Sequence, residues 1–285
     1  MTASGVDFFI SPYPKLPLFG VHCPSINTIH DVLDITYDQY ASRFRTRFDK
    51  FRLISGLKKA ALKWFVSEWS LRETEKFVNF SIKNARVRYN GIDENFTPRK
   101  LENENYILNK YQLEPGYIFV LGNGRPHKNL GVLLEISHKV NRKFVFAGVD
   151  YKNQQFWKMK YSDTDVTWIN NLSQTELPKI YRNAFCVAQP SYIEGYGYPP
   201  LEAMACGVPA VVSDIPVLVE TTGGNAGIAS PYNSKEWLEA FSILEDTNSY
   251  RAQREKGLTW IKTLQGRTGW KNHVADVEAL LKKDK

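Results

Sequence analysis

A chain of 285 residues, 43% apolar and 24% charged, is long enough for one large core or two smaller ones, and it has no apolar run of the roughly 18 residues that a spanning helix needs. The three scattered cysteines, Cys23, Cys186 and Cys206, argue against a disulfide framework or metal site, and no signal-peptide pattern opens the chain, so a cytosolic location is expected, free or peripheral on the inner membrane face. The net charge of +7 points to an anionic partner: a nucleotide, an anionic membrane surface or a nucleic acid.

In chain order, residues 7–11 and 25–30 read as short strands joined by a proline-rich loop. A basic stretch follows, with Arg43, Arg45, Arg47, Lys50, Arg52, Lys58, Lys59 and Lys63, in which Asp49 is the only acid. Tyr40, Phe44, Phe48 and Phe51 recur through it at helical spacing. Such a helix either packs its aromatic stripe on a core or meets an anionic membrane. Residues 61–67 read as a strand or buried segment, and 70–77 as a helix with Ser70 as N-cap and Glu73 completing a capping box. Residues 86–89 read as a strand, Asn90-Gly91 as a turn, and 97–114 as a polar connector between domains.

Beyond it the alternation is clearer. Strands are predicted at 117–121, 143–149, 166–169, 184–188 and 210–213, helices at 129–140 and 174–183, and further helices from 235 to 283. This pattern implies an α/β fold with a parallel sheet covered on both faces, whose ligands bind at the carboxyl ends of the strands.

Two strand-to-helix junctions carry the chemistry. From Pro190 the chain reads Pro-Ser-Tyr-Ile-Glu-Gly-Tyr-Gly-Tyr-Pro-Pro-Leu-Glu-Ala-Met-Ala-Cys-Gly-Val-Pro, which predicts a strand end, a glycine loop and a short helix starting near Pro200 and capped by Gly207. Gly195 and Gly197 let the backbone turn sharply, while the helix N-terminus aims N–H groups and positive dipole at the same spot, a place for a phosphate. Glu194 and Glu202 flank the loop, eight positions apart. Either suits a vicinal diol of a sugar or ribose; taken singly, Glu194 also reads as a solvated loop residue and Glu202 as an acid favoured near a helix N-terminus. The second junction, Leu121-Gly122-Asn123-Gly124-Arg125-Pro126-His127-Lys128-Asn129, has histidine where a dinucleotide fingerprint needs glycine, and no Gly-Lys-Ser/Thr of a P-loop occurs, which disfavours a dehydrogenase or P-loop kinase.

Together these segments closely resemble the Glu-x7-Glu pattern and phosphate loop of glycosyltransferase family 4, in particular bacterial mannosyltransferases. Thr28-Ile29-His30-Asp31, Trp64 to Glu68, Asn90 to Asp93, Val211 to Ser213 and Glu220 resemble further landmarks of that family. The resemblance implies a GT-B fold of two doubly wound, Rossmann-like domains: a partial, acceptor-side domain over 1–112 and a nucleotide-sugar-binding domain over 113–285, the last helix packing back on the first domain. It implies that Lys128 and the helix start near Leu201 neutralise the donor diphosphate without a metal or cofactor. Arg125 either joins them, standing two positions beyond the family's usual arginine, or is a surface residue. Glu202 would hold the ribose, Glu194 with Gly195, Tyr196 and Gly197 would position the transferred sugar, and His30 would orient it across the interdomain cleft. Asp163-Thr164-Asp165, a motif of metal sites in another glycosyltransferase fold, reads here as a turn.

The function implied is retaining transfer of a mannose- or glucose-type hexose from a nucleoside diphosphate sugar, GDP-mannose above others, to a glycan or lipid-linked acceptor in cell-surface polysaccharide synthesis. No nucleic acid is expected as partner. The alternatives are a non-catalytic or partner-dependent nucleotide-sugar-binding subunit and, behind it, a sugar-nucleotide epimerase. Only Gly5 and Gly20 precede His30, where the family carries a glycine-rich loop and further strand–helix units. A homo-oligomer or complementing subunit is therefore expected to cover the sheet, with transfer weak or absent in the isolated monomer.

Overall fold

In the computed structural model, residues 6–14, 16–17, 21–36, 43–99, 104–162, 164–268 and 270–282 are described; Gly5, Gly20, Tyr40 and Asp163, and the side chains of Arg43, Phe44 and Arg45, lie outside them. The chain divides into two compact units, one of Met1–Gly91, Glu194–Tyr196 and Leu264–Lys285 and one of Ile92–Ile193 and Gly197–Thr263.

The first unit is built on four parallel strands in sequence order: β1 (Phe9–Ser11), β2 (Ser25–Ile29), β3 (Leu62–Phe65) and β4 (Ala85–Val87). β3 is buried along its whole length, as a parallel strand covered on both faces must be. On one face Ile29 and Phe65 pack with Val32 and Ile35 around α1 (Leu33–Thr36), Leu53 and Leu57 of α2 (Arg43–Lys59) and Val78 of α3 (Glu68–Val78). On the other, Ile26, Leu62 and Trp64 meet Val277 and Leu280 of the C-terminal helix Trp270–Leu281. That helix also inserts buried Asp276, which accepts from Trp64 Nε1 at 2.7 Å, from Arg88 Nε and Nη2 at 2.9 and 2.8 Å, and from Arg86. Burial pushes the Asp276 pKa up, but the Arg88 and Trp64 hydrogen bonds and the arginine charges outweigh it, leaving it lowered.

One local expectation is corrected here, and one open alternative is narrowed. The N-cap of α3 is Ser67, because β3 runs almost directly into the helix and leaves Ser67 extended; Ser67 Oγ accepts the Ser70 N–H at 2.9 Å and Ser70 Oγ accepts the Ser67 N–H at 3.2 Å. Serine, not Glu73, closes the capping box. Among the described residues of α2 the buried ones are Asp49, Leu53, Gly56 and Leu57, while Phe48 and Phe51 are 52% and 62% exposed, so these two aromatics face solvent instead of the core.

The second unit holds six parallel strands: β5 (Tyr117–Leu121), β6 (Phe144–Ala147), β7 (Val166–Ile169), β8 (Ala184–Gln189), β9 (Ala210–Ser213) and β10 (Gly227–Ala229), in the order β10-β9-β8-β5-β6-β7. The sheet is covered by α4 (Asn105–Tyr111), α5 (Leu130–Ile136), α6 (Tyr151–Lys160), α7 (Leu177–Asn183), α8 (Tyr198–Ala205), α9 (Pro216–Thr222), α10 (Ser234–Glu245) and the first part of α11 (Thr247–Thr268). Its core joins strand residues Ile118, Phe144, Phe146 and Val211 to Leu130 and Leu133 of α5 and Trp237 and Phe241 of α10. The predicted connector contains α4, held to α7 and its leading loop by the buried Arg182–Glu104 pair and by Lys110 with Glu176. α6 was not anticipated because only Gln154 and Trp157 of its ten residues are buried, too few for an apolar period.

Candidate functional site

Strand order fixes where a ligand can sit. The chain leaves β5 towards β6 and β7 on one side, whereas β8 leads to β9 and β10 on the other, so the direction of winding reverses between β5 and β8. In doubly wound sheets the crevice at the carboxyl ends of such a strand pair is the ligand site. The loops leaving these two ends are residues 122–129 and 190–197, the two junctions singled out from the sequence.

The first loop turns at Gly124, and the Asn123 side-chain oxygen accepts the Arg125 N–H at 3.2 Å. A single 3-10 turn, Pro126–Lys128, then ends on Asn129 at φ 51°, a left-handed conformation that asparagine tolerates. The buried Asn129 amide donates to Pro190 O at 3.0 Å and to Pro231 O at 2.7 Å, and the Tyr192 N–H donates to His127 O at 2.8 Å. The two loops are thereby tied together. The Lys128 chain passes over Gly122: a Cβ on that glycine would stand 3.5 Å from Lys128 Cγ. Arg125 is exposed, whereas His127 is buried.

In the second loop Gly197, at φ 88°, is the N-cap of α8. The helix begins at Tyr198, two residues before the predicted Pro200. Pro199 and Pro200 carry no N–H, so the donors this helix end offers outside its own ladder are those of Gly197 and Tyr198; Leu201 follows them, fully buried. One turn further in, Glu202 Oε2 accepts from Tyr181 OH at 2.8 Å. Burial raises the Glu202 pKa and the charge of Asp93 adds to this, against the lowering effect of the Tyr181 bond. Burial and Glu202 push Tyr181 well above its ordinary value, so it remains a hydrogen-bond donor.

Glu194, Gly195 and Tyr196 group with the first unit. Gly195 lies against Asp31, where a Cβ would stand 2.5 Å from Asp31 Oδ2, and its carbonyl accepts from Ser67 Oγ at 3.5 Å. Tyr196 OH donates to Asn90 O at 2.8 Å, and Glu194 is buried. His30, exposed just after β2, donates from Nε2 to Pro12 O at 3.1 Å, and Asp31 Oδ1 accepts the Leu33 N–H at 2.9 Å. Of the predicted site residues, the first unit thus brings the His30–Asp31 strand end to the 194–196 loop. The second carries Arg125, Lys128, Gly197, Leu201 and Glu202.

Sequence reasoning did not single out a cavity of about 470 Å³ at the carboxyl ends of β5, β6 and β7, lined by Leu121, Gly148, Asp150, Tyr151, Asn170 and Ser173 among others. Its local signal was the strand-end Gly148-Val149-Asp150, with Gly148 at φ 80° and Asp150 capping α6 by accepting the Asn153 N–H at 2.9 Å. Among the described residues no group of three or more His, Cys, Asp or Glu is placed to hold a metal ion, and no helix is long and apolar enough to cross a membrane.

Residues 107–260, just over half of the chain, match the family model of the glycosyl transferases group 1. The chain is 27% identical over 261 residues to the O-antigen chain mannosyltransferase B of Escherichia coli, covering 87% of this chain and 67% of that protein. With the O-antigen chain mannosyltransferase RfbU of Salmonella typhimurium it is 29% identical over 225 residues, 76% of this chain and 60% of the relative. Among solved structures it is similar in fold to the HepE protein of Anabaena in complex with UDP and glucose, with a TM-score of 0.73 at 17% identity over 92% of this chain and 72% of that one. WaaG, a glycosyltransferase involved in lipopolysaccharide biosynthesis, gives a TM-score of 0.66 at 12% identity over 89% and 77%.

Proposed function

The chain belongs to the glycosyl transferases group 1, with an α/β fold of the GT-B type, and from that premise we propose that it transfers a hexose, with retention, from a nucleoside diphosphate sugar to a glycan or lipid-linked acceptor in cell-surface polysaccharide synthesis. The observation that carries the reading is the β5–β8 crevice, where a cationic loop with Lys128 is tied to the loop that opens α8 at Gly197, with Glu202 one turn behind. The two O-antigen mannosyltransferases among the relatives and the His30–Asp31 string favour GDP-mannose as donor.

In this reading the base enters the cavity at the ends of β5 to β7 and the ribose diol addresses Glu202. The diphosphate meets Lys128, the N–H groups of Gly197 and Tyr198 and, from the rim, Arg125. These fixed donors and the helix dipole stabilise charge as it builds on the departing diphosphate, the part a metal plays elsewhere. Glu194 and the Gly195-Tyr196 backbone hold the hexose, and His30 orients it. The acceptor hydroxyl attacks from the face the diphosphate leaves, which retains configuration, and the leaving phosphate oxygens take up the hydroxyl proton.

Calorimetric titration of GDP, UDP, GDP-mannose and UDP-glucose tests the donor. Lys128→Ala is expected to weaken nucleoside diphosphates and leave free nucleosides unaffected, and equal loss for both would make Lys128 structural. Transfer is read by release of GDP in the presence of a saccharide acceptor; release by the donor alone would indicate hydrolysis or another reaction.

We further propose that α2 rests on an anionic membrane. Exposed Phe48 and Phe51 stand among Arg47, Lys58 and Lys59, a pairing of apolar and cationic groups suited to the headgroup boundary. Vesicles containing anionic lipid should sediment the protein at low salt and release it at high salt; binding indifferent to both charge and salt refutes this.

A further inference from the structure

A second feature stands on the same carboxyl edge of the six-stranded sheet. Tyr192, beyond β8, and Tyr232, beyond β10, stack with ring centroids 5.1 Å apart and planes within 27° of parallel. Both supporting loops are anchored by the same buried side chain. Asn129 donates to Pro190 O and to Pro231 O, the carbonyls two and one residues before the two tyrosines. The Tyr192 N–H is further tied to His127 O, and the Tyr232 N–H to Ser230 Oγ at 3.2 Å. The stack is therefore held in place by backbone on both sides, yet Tyr232 is 81% exposed. A scattered surface tyrosine needs no explanation. A ring held in a stack beside the phosphate loop, with most of its surface open, is a platform.

Strand order decides what the platform receives. In the series β10-β9-β8-β5-β6-β7, the 470 Å³ cavity lies beyond β5, β6 and β7, Lys128 follows β5, and the tyrosine pair stands beyond β8 and β10. A nucleotide sugar with its base in the cavity and its diphosphate at Lys128 points its sugar end towards the tyrosines. A pyranose has one face of C–H groups and no charge, which suits the electron-rich face of an aromatic ring.

We propose that Tyr232, backed by Tyr192, is a saccharide platform that takes a pyranose ring by stacking, from the acceptor glycan or the donor's hexose, and so sets sugar specificity. This rests on the donor reading for its polarity.

The test substitutes Tyr232 with Ala, Phe and Trp. As the side chain is exposed, Tyr232→Ala should melt with wild type. Saturation-transfer NMR with methyl mannopyranoside and mannose oligosaccharides should show ring protons contacting the wild-type protein and a loss of roughly three- to tenfold in affinity in Tyr232→Ala, the range for one aromatic contact. Phe and Trp should restore it, since the ring face and not the hydroxyl makes the contact. An acceptor KM raised with unchanged GDP-mannose affinity identifies the acceptor as source; weakened GDP-mannose at unchanged GDP affinity identifies the donor hexose. If Tyr232→Ala leaves saccharide binding and both constants untouched, or weakens GDP and guanosine equally, the platform is refuted. Absence of any nucleotide binding by the wild-type chain would sink the donor reading instead, and the NMR titration separates the two failures.

Discussion

Replacing Glu202 separates ligand binding from folding at a single position. Tyr181 occupies one lone pair of Oε2 at 2.8 Å, and the rest of the carboxylate is what a ribose diol would address. Charge-assisted hydrogen bonds contribute about 1.5–3 kcal/mol, so Glu202→Ala should weaken GDP binding by roughly 10- to 150-fold. In a double-mutant cycle against 2′,3′-dideoxy-GDP that loss should disappear, because the diol is already absent. Glu202→Gln, which keeps an acceptor for Tyr181, should bind more weakly than wild type yet melt at a higher temperature at pH 7. The sign follows from the raised pKa: the ionised form is the one the fold disfavours, so its cost is present above the folded pKa. That cost fades as pH falls through the folded value towards the ordinary 4.5. Wild-type affinity should fall over the same window, while that of Glu202→Gln stays flat. Calorimetry and thermal melts across pH 4 to 8 are the assays. Equal loss for GDP and its dideoxy analogue, or a lower melting temperature for Glu202→Gln at pH 7, would refute the ribose assignment or the burial argument respectively.

Gly197→Ala places a side chain at φ 88° and against buried Leu218; a cost of about 2–4 kcal/mol should appear as a melting temperature lower by roughly 2–4 °C per kcal/mol, and an unchanged melt would show that the turn relaxes. Asp276→Ala leaves Arg86 and Arg88 without their shared carboxylate. Because the Arg86 side chain keeps 46% of its exposure, the expected loss is near the low end for a broken buried pair, about 3 kcal/mol, read by urea denaturation. Glu176 has its pKa lowered to about 2: burial opposes ionisation, but the Lys110 and Ser173 hydrogen bonds outweigh it. Its contribution to stability should be complete above pH 4.5 and disappear as pH falls to about 2, and Lys110→Met should flatten that acid limb of the stability curve.

The sequence by itself determined what depends on neighbours along the chain. Apolar runs bounded by Gly, Pro, Asp or Asn gave β5, β7 and β9 to the residue, and their alternation with helices gave the parallel sheets. Gly197 before two prolines marked the start of a helix, since φ preference and missing N–H groups act within a few residues. Short or polar pieces were less legible: α4 and α6 bury too little to show a period, and the cap of α3 moved to Ser67 because the end of β3, not the helix, sets where the backbone turns.

Tertiary structure alone decided which distant residues share an environment. The elevated pKa of Glu202 comes from its burial and from the charge of Asp93, distant in the chain, against the lowering Tyr181 hydrogen bond; the closeness of Gly195 to Asp31 spans most of the chain; Asp276 meets Trp64 across 212 positions; and Asn129 holds Tyr192 and Tyr232 in one stack through carbonyls of two separate loops. Strand order is of the same kind. Periodicity shows that β5 and β8 are strands, but only long-range pairing makes them neighbours, and that adjacency turns two glycine-bearing loops into one crevice.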